Sequence, residues 1–149
     1  MTSGRGSGAR ESGRGDGAGY SGTPLHRKLG IKPDSRALIA AAPPSFALDT
    51  VPPGAVVHTR AARSSYDVVL AFCPDRKRLQ SRSSSLAPRI TTAGALWIAW
   101  PKKSSGVSTD LDENVVREAG LGEGLVDVKV IAIDDVWSGL KFVRRLRDR

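Results

Sequence analysis

Lys102-Lys103-Ser104-Ser105-Gly106 is the stretch of this 149-residue chain best equipped to hold an anion. Two ammonium groups, two hydroxyls and a permissive glycine ahead of a helix start can together cradle a phosphate or a carboxylate. The lysines precede the glycine and the spacing of a nucleotide-binding P-loop is missing, so that motif is excluded. Asp110, Asp112 and Glu113 follow closely; they suit a helix start through its dipole but repel an incoming anion. A plain solvated loop is therefore the competing reading. Asp134-Asp135 is an acidic pair able to serve as general base or metal ligand, although such pairs more commonly end a strand and open a turn. Trp137 follows in the same link and is the ring placed to face a ligand or a partner.

Few other side chains are reactive. Cys73 is the single cysteine, which rules out an internal disulfide and a thiolate metal site built from this chain alone. A free cysteine at a strand end usually behaves as a small apolar core residue. His26 falls on the N-terminal helix and His58 in mid-strand, and neither position recommends a base or ligand. No catalytic residue, metal ligand or cofactor is assigned from these types and spacings.

The elements that would position these residues can be read from apolar periodicity. Thr23-Pro24 reads as an N-cap and first helical position, with Gly30 stopping the helix Leu25–Leu29. Continuous apolar runs at 36–42, 55–59, 66–72 and 94–100 predict buried strands, each ended by or close to a proline or a turn. Residues 75–90 carry Leu79, Leu86 and Ile90 on one helical face, although Ser83-Ser84-Ser85 and Pro88 predict a short or broken helix. Thr109 or Asp110 can cap a helix with Leu111, Val115 and Ala119 on one face, ended by Gly120 or Gly122. Strands at 126–133 and 140–144 follow, joined by residues 134–139. That link is too short for a parallel crossover, so the pair should be antiparallel. Trp97 and Trp100 should fall on opposite faces of their strand.

Strands alternating with helical segments predict an α/β fold: a small doubly wound, mostly parallel sheet with helices on both faces and an antiparallel C-terminal hairpin. Residues 1–19 are rich in glycine and arginine and hold no large apolar residue after Met1. They cannot bury enough surface to offset ordering, which predicts a disordered tail and a single domain at 20–149. Tyr20–Pro24 at their junction reads as a helix cap with an anchoring tyrosine, or as a lid over the strand-end crevice. No apolar run reaches the roughly 18–20 residues of a membrane span, and no signal-peptide core is present, so a cytoplasmic location is expected. Net charge is +8 and the pI about 10.3, with the excess divided among the tail, residues 76–82 and the C-terminus. That balance attracts polyanions in general and mainly speaks to solubility.

Leu29–Pro33, Tyr66–Leu70, Gly94–Ile98 and the closing hairpin resemble landmarks of the Rossmann-like methyltransferase fold, with one strand–helix unit fewer. More closely, Gly19–Leu25, Ala99–Ser104, Val126–Val130 and Trp137–Phe142 are similar to an uncharacterised bacterial domain-of-unknown-function family. The second resemblance implies a fold and no activity. The first implies a glycine-rich turn after the first strand and a ribose-binding acid after the second. Here the corresponding segments are Ala40-Ala41-Ala42-Pro43-Pro44 and Thr59-Arg60. The expectation is a non-catalytic, methyltransferase-like domain that binds a partner or small anion at the strand-end edge through Lys102, Lys103, Ser104, Ser105, Asp134, Asp135 and Trp137. One alternative is a nucleic-acid-associated protein using its Gly/Arg tail and Arg-rich C-terminus. Another is an enzyme that pairs Lys102 or Lys103 with Asp134 or Asp135.

Overall fold

The computed structural model describes residues 22–149; the expected tail, Tyr20 and Ser21 lie outside that range. Helix α1 (Leu25–Leu29) leads into β1 (Arg36–Ala40), β2 (Val56–His58) and β3 (Tyr66–Phe72). Helix α2 (Arg76–Leu86) and a 3₁₀ turn (Ala87–Arg89) feed β4 (Ile90–Pro101). A second 3₁₀ turn (Lys103–Ser105) precedes helix α3 (Glu113–Gly122), and β5 (Leu125–Ala132) and β6 (Trp137–Arg144) close the sheet. The six strands hydrogen-bond in the order β2-β1-β3-β4-β6-β5. Pairing is parallel from β2 to β4, while β6 is antiparallel to both β4 and β5. The expected mixed sheet is therefore present, with its antiparallel pair at the C-terminal end.

Side-chain alternation along the strands sorts the core into two layers. On one face Leu38, Val69, Leu96, Ile98 and Trp100 pack beneath α2 and α3, meeting Leu79, Leu86 and Val116. On the other face Ile39, Leu70, Phe72 and Trp97 meet Leu29 of α1. The β1–β2 connection covers the rest of that face through Phe46 and Leu48. Pro43-Pro44 and Pro52-Pro53 keep this connection from forming a helix, because proline lacks the N–H and clashes with the preceding turn. Trp97 and Trp100 do lie on opposite faces. Trp97 is fully buried, and its indole N–H donates to the Leu29 carbonyl at 3.0 Å.

Several boundaries differ from those read in the sequence. Strand β1 stops at Ala40, because Ala41 turns into the left-handed region at φ +61°. Pro24, not Thr23, occupies the α1 cap position, and the carboxylate of Asp49 accepts from Leu25 N–H at 2.8 Å. The polar stretch divides at Pro88 into α2 and the 3₁₀ turn, and β4 begins at Ile90 rather than Gly94. Helix α3 starts later than expected. Its cap is Asp112, whose side chain accepts from Val115 N–H, with Leu111 before the cap and Val116 after it buried in one cluster as a hydrophobic staple. Gly124, at φ +83°, makes the left-handed turn after this helix, and Gly120 lies inside it. Strand β6 begins at Trp137, three residues earlier than expected, so Trp137 belongs to the strand and the link shortens to 133–136. Pairing with β4 out to Pro101 extends it.

Strand β5 forms one rim of the sheet. Its register slips between Asp127 and Lys129, and Val128 beside the slip is half-exposed. On its inner side α3 is tied down by Arg117, which donates from Nε to Asp127 at 2.9 Å and pairs with Glu113 one turn earlier. The guanidinium holds the Asp127 carboxyl below the ordinary carboxylate range.

Gly120 is a packing requirement rather than a turn. A Cβ built there would sit 2.0 Å from Cε1 of the fully buried Phe142. Gly120→Ala gains about 1 kcal/mol of helix propensity but forces a ring with no room to move. The expected outcome is a net loss of about 1–2 kcal/mol in urea unfolding; a more stable variant would contradict this packing.

Candidate functional site

The chain leaves β1 toward β2 on one side and returns to β3 on the other, which makes the β1/β3 boundary the topological switch point of the sheet. The carboxyl ends of the parallel strands, where open α/β sheets place ligands, run along one edge. β1 ends at Ala40, β3 at Phe72, β4 at Pro101 and β5 at Ala132, and the antiparallel β6 begins there with Trp137.

At the switch point the edge is closed by rings. Phe46 meets Phe72 edge-on at 4.9 Å between centroids, and Phe72 meets Trp137 edge-on at 5.1 Å. Phe72 is buried while the outer two rings are half-buried. The turn that carries Phe46 is stiff: Pro43 and Pro44 have no N–H to offer, and Phe46 N–H donates to the Pro43 carbonyl at 2.9 Å. Ala41 holds a left-handed conformation that costs an L-residue about 1–2 kcal/mol. Sequence reading missed Phe46, which sits in a proline-rich stretch with no periodicity to assign it a face.

Farther along the edge the two predicted polar segments come together. Pro101 pairs with Trp137, and Lys102 N–H donates to the Val136 carbonyl at 2.8 Å. This places Lys102 beside the turn that contains Asp134 and Asp135. Within that turn Asp134 Oδ1 accepts from Val136 and Trp137 N–H at 2.9 and 2.8 Å, so this carboxylate shapes the hairpin. Asp135 is exposed and makes no hydrogen bond or ion pair among the described residues. The same holds for the ammonium groups of Lys102 and Lys103. Ser105 Oγ donates to the Lys102 carbonyl at 2.6 Å and accepts from Val107 N–H, which closes the 3₁₀ turn on itself. Ser104 is exposed.

The loop does not open directly onto a helix. Residues 107–112 separate it from α3 and cross to the start of α2. There Thr109 donates its hydroxyl proton to the Pro74 carbonyl, and Asp110 accepts from Arg76 N–H at 2.8 Å. Asp75 caps the same helix through Arg78 N–H, and that bond holds its carboxyl below the usual range. The acidic residues around 110 therefore serve two helix starts and leave the lysines without counter-charges.

Cys73 is fully buried. Burial pushes its thiol up to about 11, against a smaller opposing pull from Arg82. His58 Nδ1 lies 2.7 Å from the Tyr66 hydroxyl, which also accepts from Ala62 N–H. His26 Nδ1 faces Asp49 at 3.3 Å. Both histidine rings are thus engaged by neighbouring side chains. Clefts among the described residues include one of about 630 Å³ between α2 and α3, lined by Arg76, Gln80, Asp112 and Glu118, and one of about 540 Å³ beside Leu25, Asp49 and Ile133. Neither is lined by the lysine loop or by Asp134 and Asp135. Among the described residues no group of three or more His, Cys, Asp or Glu side chains is placed to hold a metal ion. None of the described helices is long and apolar enough to cross a membrane.

No protein-family model matches the chain, and neither does any curated protein. Solved structures do. Magnesium protoporphyrin IX methyltransferase ChlM from Synechocystis PCC 6803 with bound SAM superposes at TM-score 0.53 and 11% identity, covering 81% of this chain and 74% of that one. A candidate methyltransferase from Thermoplasma acidophilum gives 0.51 and 10%, covering 83% and 76%. The Methanococcus jannaschii fibrillarin pre-rRNA processing protein gives 0.51 and 14%, covering 76% and 68%. At such identities the likeness concerns the fold.

Adenosylmethionine, the cofactor this fold implies, does not suit the residues at the switch point. A nucleoside there needs glycine backbone to approach and an acid for its ribose. This chain places two prolines, Phe46 and Trp137 at the first position, and Thr59-Arg60 after a three-residue β2 at the second.

The state of Cys73 gives a direct check. Between about 8.5, the ordinary thiol value, and the folded value of about 11, only the unfolded chain carries much thiolate. Labelling with a disulfide reagent at mildly alkaline pH should be slow in the folded protein and fast in urea; rapid labelling of the folded chain would refute the burial. The fold itself is clear: this chain shares the Rossmann-like fold of these methyltransferase structures.

Proposed function

We propose that this chain is a methyltransferase-fold domain that works without adenosylmethionine and recognises a small anion, or the anionic group of a partner, at the carboxyl edge of its sheet. The carrying observation is the Lys102 N–H bond to Val136. It brings the Lys102 backbone beside the Asp134–Trp137 turn, and supports a site at two lysines without an ion pair among the described residues, in a loop whose backbone the Ser105 hydroxyl holds in shape. Unpaired lysines on an ordered loop bind anions at a lower ordering cost than lysines on a free chain. In this reading Lys102 and Lys103 supply the charge, Ser104 a free hydroxyl, and Trp137 an apolar wall. Asp135 sets the rim and disfavours ligands of high negative charge. Membership of the uncharacterised bacterial family forms part of the proposal: three of its four motifs coincide with the end of β4, with β5 and with β6, and residues 19–21 of the fourth lie outside the described range.

Calorimetric titration of the full chain tests this reading, with inorganic phosphate, a nucleoside monophosphate and adenosylmethionine as separate titrants. Phosphate or the nucleotide should bind, and Lys102→Ala/Lys103→Ala should weaken that binding by about tenfold, some 1.4 kcal/mol. Asp135→Asn should strengthen it. Tight adenosylmethionine binding would overturn the proposal, and so would anion binding that ignores both lysines.

A further inference from the structure

The opposite edge of the sheet carries a different surface. There Arg63, Arg89, Arg144, Arg145, Arg147 and Arg149 come from three segments distant in sequence. Hydrogen bonds bring these segments together. Arg89 donates to the Ser64 carbonyl at 3.3 Å, Arg144 to the Ile90 carbonyl at 2.6 Å, and Arg149 to the Arg144 carbonyl at 2.7 Å. Tyr66 at the start of β3 pairs with Ile90 at the start of β4, which fixes the spacing. All six side chains are exposed or half-exposed.

Carbonyl acceptors orient a guanidinium without neutralising it, and each leaves most of the five N–H donors free. Among the described residues the one carboxylate paired with any of the six is Asp148, 3.9 Å from Arg147 and half-exposed. Asp67, also at this edge, already accepts from Arg36 N–H and the Thr91 hydroxyl. Gathering six like charges is unfavourable in the isolated protein, and a polyanion reverses the sign of that term. Guanidinium groups match phosphate geometry with paired donors.

We infer that this amino edge is a docking surface for the phosphate backbone of nucleic acid. Among the described residues no exposed aromatic ring stands beside the six arginines, so the patch offers bases nothing to stack on and binding does not depend on sequence. Leu146 is the exposed apolar side chain in the patch. A single leucine falls far short of the apolar face by which an amphipathic helix enters a membrane, which favours nucleic acid over a lipid surface. The inference is independent of the anion site proposed above, since the two lie on opposite edges.

Fluorescence anisotropy with scrambled single- and double-stranded DNA and RNA oligonucleotides tests it. The samples are the full chain, the chain without residues 1–19, Arg145→Glu/Arg147→Glu/Arg149→Glu, and a charge-matched control on other surfaces, Arg27→Glu/Lys77→Glu/Lys129→Glu. All substituted side chains are exposed or half-exposed, and urea unfolding checks that each variant folds. The amino-edge variant should lose about tenfold or more in affinity at low salt, with a log–log salt slope reduced by up to about 3. The control should lose much less. Equal loss from both triples would reduce the effect to net charge and overturn the inference. A loss seen only on removal of residues 1–19 would assign binding to the tail and overturn it. Binding to phosphatidylserine vesicles but to no oligonucleotide would do the same, in favour of a membrane.

Discussion

Trp97 holds this structure together through one hydrogen bond and one large buried surface. Its indole N–H reaches across 68 residues to the last carbonyl of α1. A buried indole needs a partner for its N–H, and a helix end needs a partner for its carbonyls. Each supplies what the other lacks. At about 25 cal/mol per Å², burying an indole of roughly 200 Å² contributes on the order of 5 kcal/mol before entropy is counted. With α1 fixed, Asp49 can cap its N-terminus from the β1–β2 connection. That connection then lays Phe46 over Phe72. The closed strand-end edge thus follows from a tryptophan in the middle of the sheet.

Much of this was legible in the sequence, for identifiable reasons. Buried parallel strands are continuous apolar runs, and Tyr66–Phe72 and the Gly94–Trp100 core of β4 announced themselves that way. A short link between the last two strands dictated their antiparallel pairing. Boundaries set by distant partners were not legible. Asp49 lies 24 residues from the helix it caps and Asp110 lies 34 from the helix it helps start. Gly120 read as a helix stop because its real reason is a ring, Phe142, on a strand that comes later in the chain. The candidate site was half legible. Lys102, Lys103 and Asp135 could be picked out by type and by strand ends; that Asp134 would be taken up by its own turn was the commoner outcome for such a pair.

The fold and the site carry separate messages. A parallel sheet with a reversed last strand is a scaffold shared with enzymes that use adenosylmethionine, and scaffold alone confers no chemistry. In this chain Phe46, Phe72 and Trp137 pack together at the switch point, and the clustered basic side chains lie elsewhere along the two edges. Side chains at the ends of the strands are held by a rigid sheet whichever ligand they meet. Small changes at those ends alter what the protein recognises without disturbing the core.

The slipped register of β5 has a consequence for the molecule as a whole. A free sheet margin offers its unpaired backbone to any second chain that can lie alongside, the geometry from which fibrillar assemblies grow. The extra residue near Val128 breaks that straight run of donors and acceptors, and the exposed Lys129 adds a charge to the same rim. Two exposed valines can therefore remain on the rim while the sheet ends at six strands.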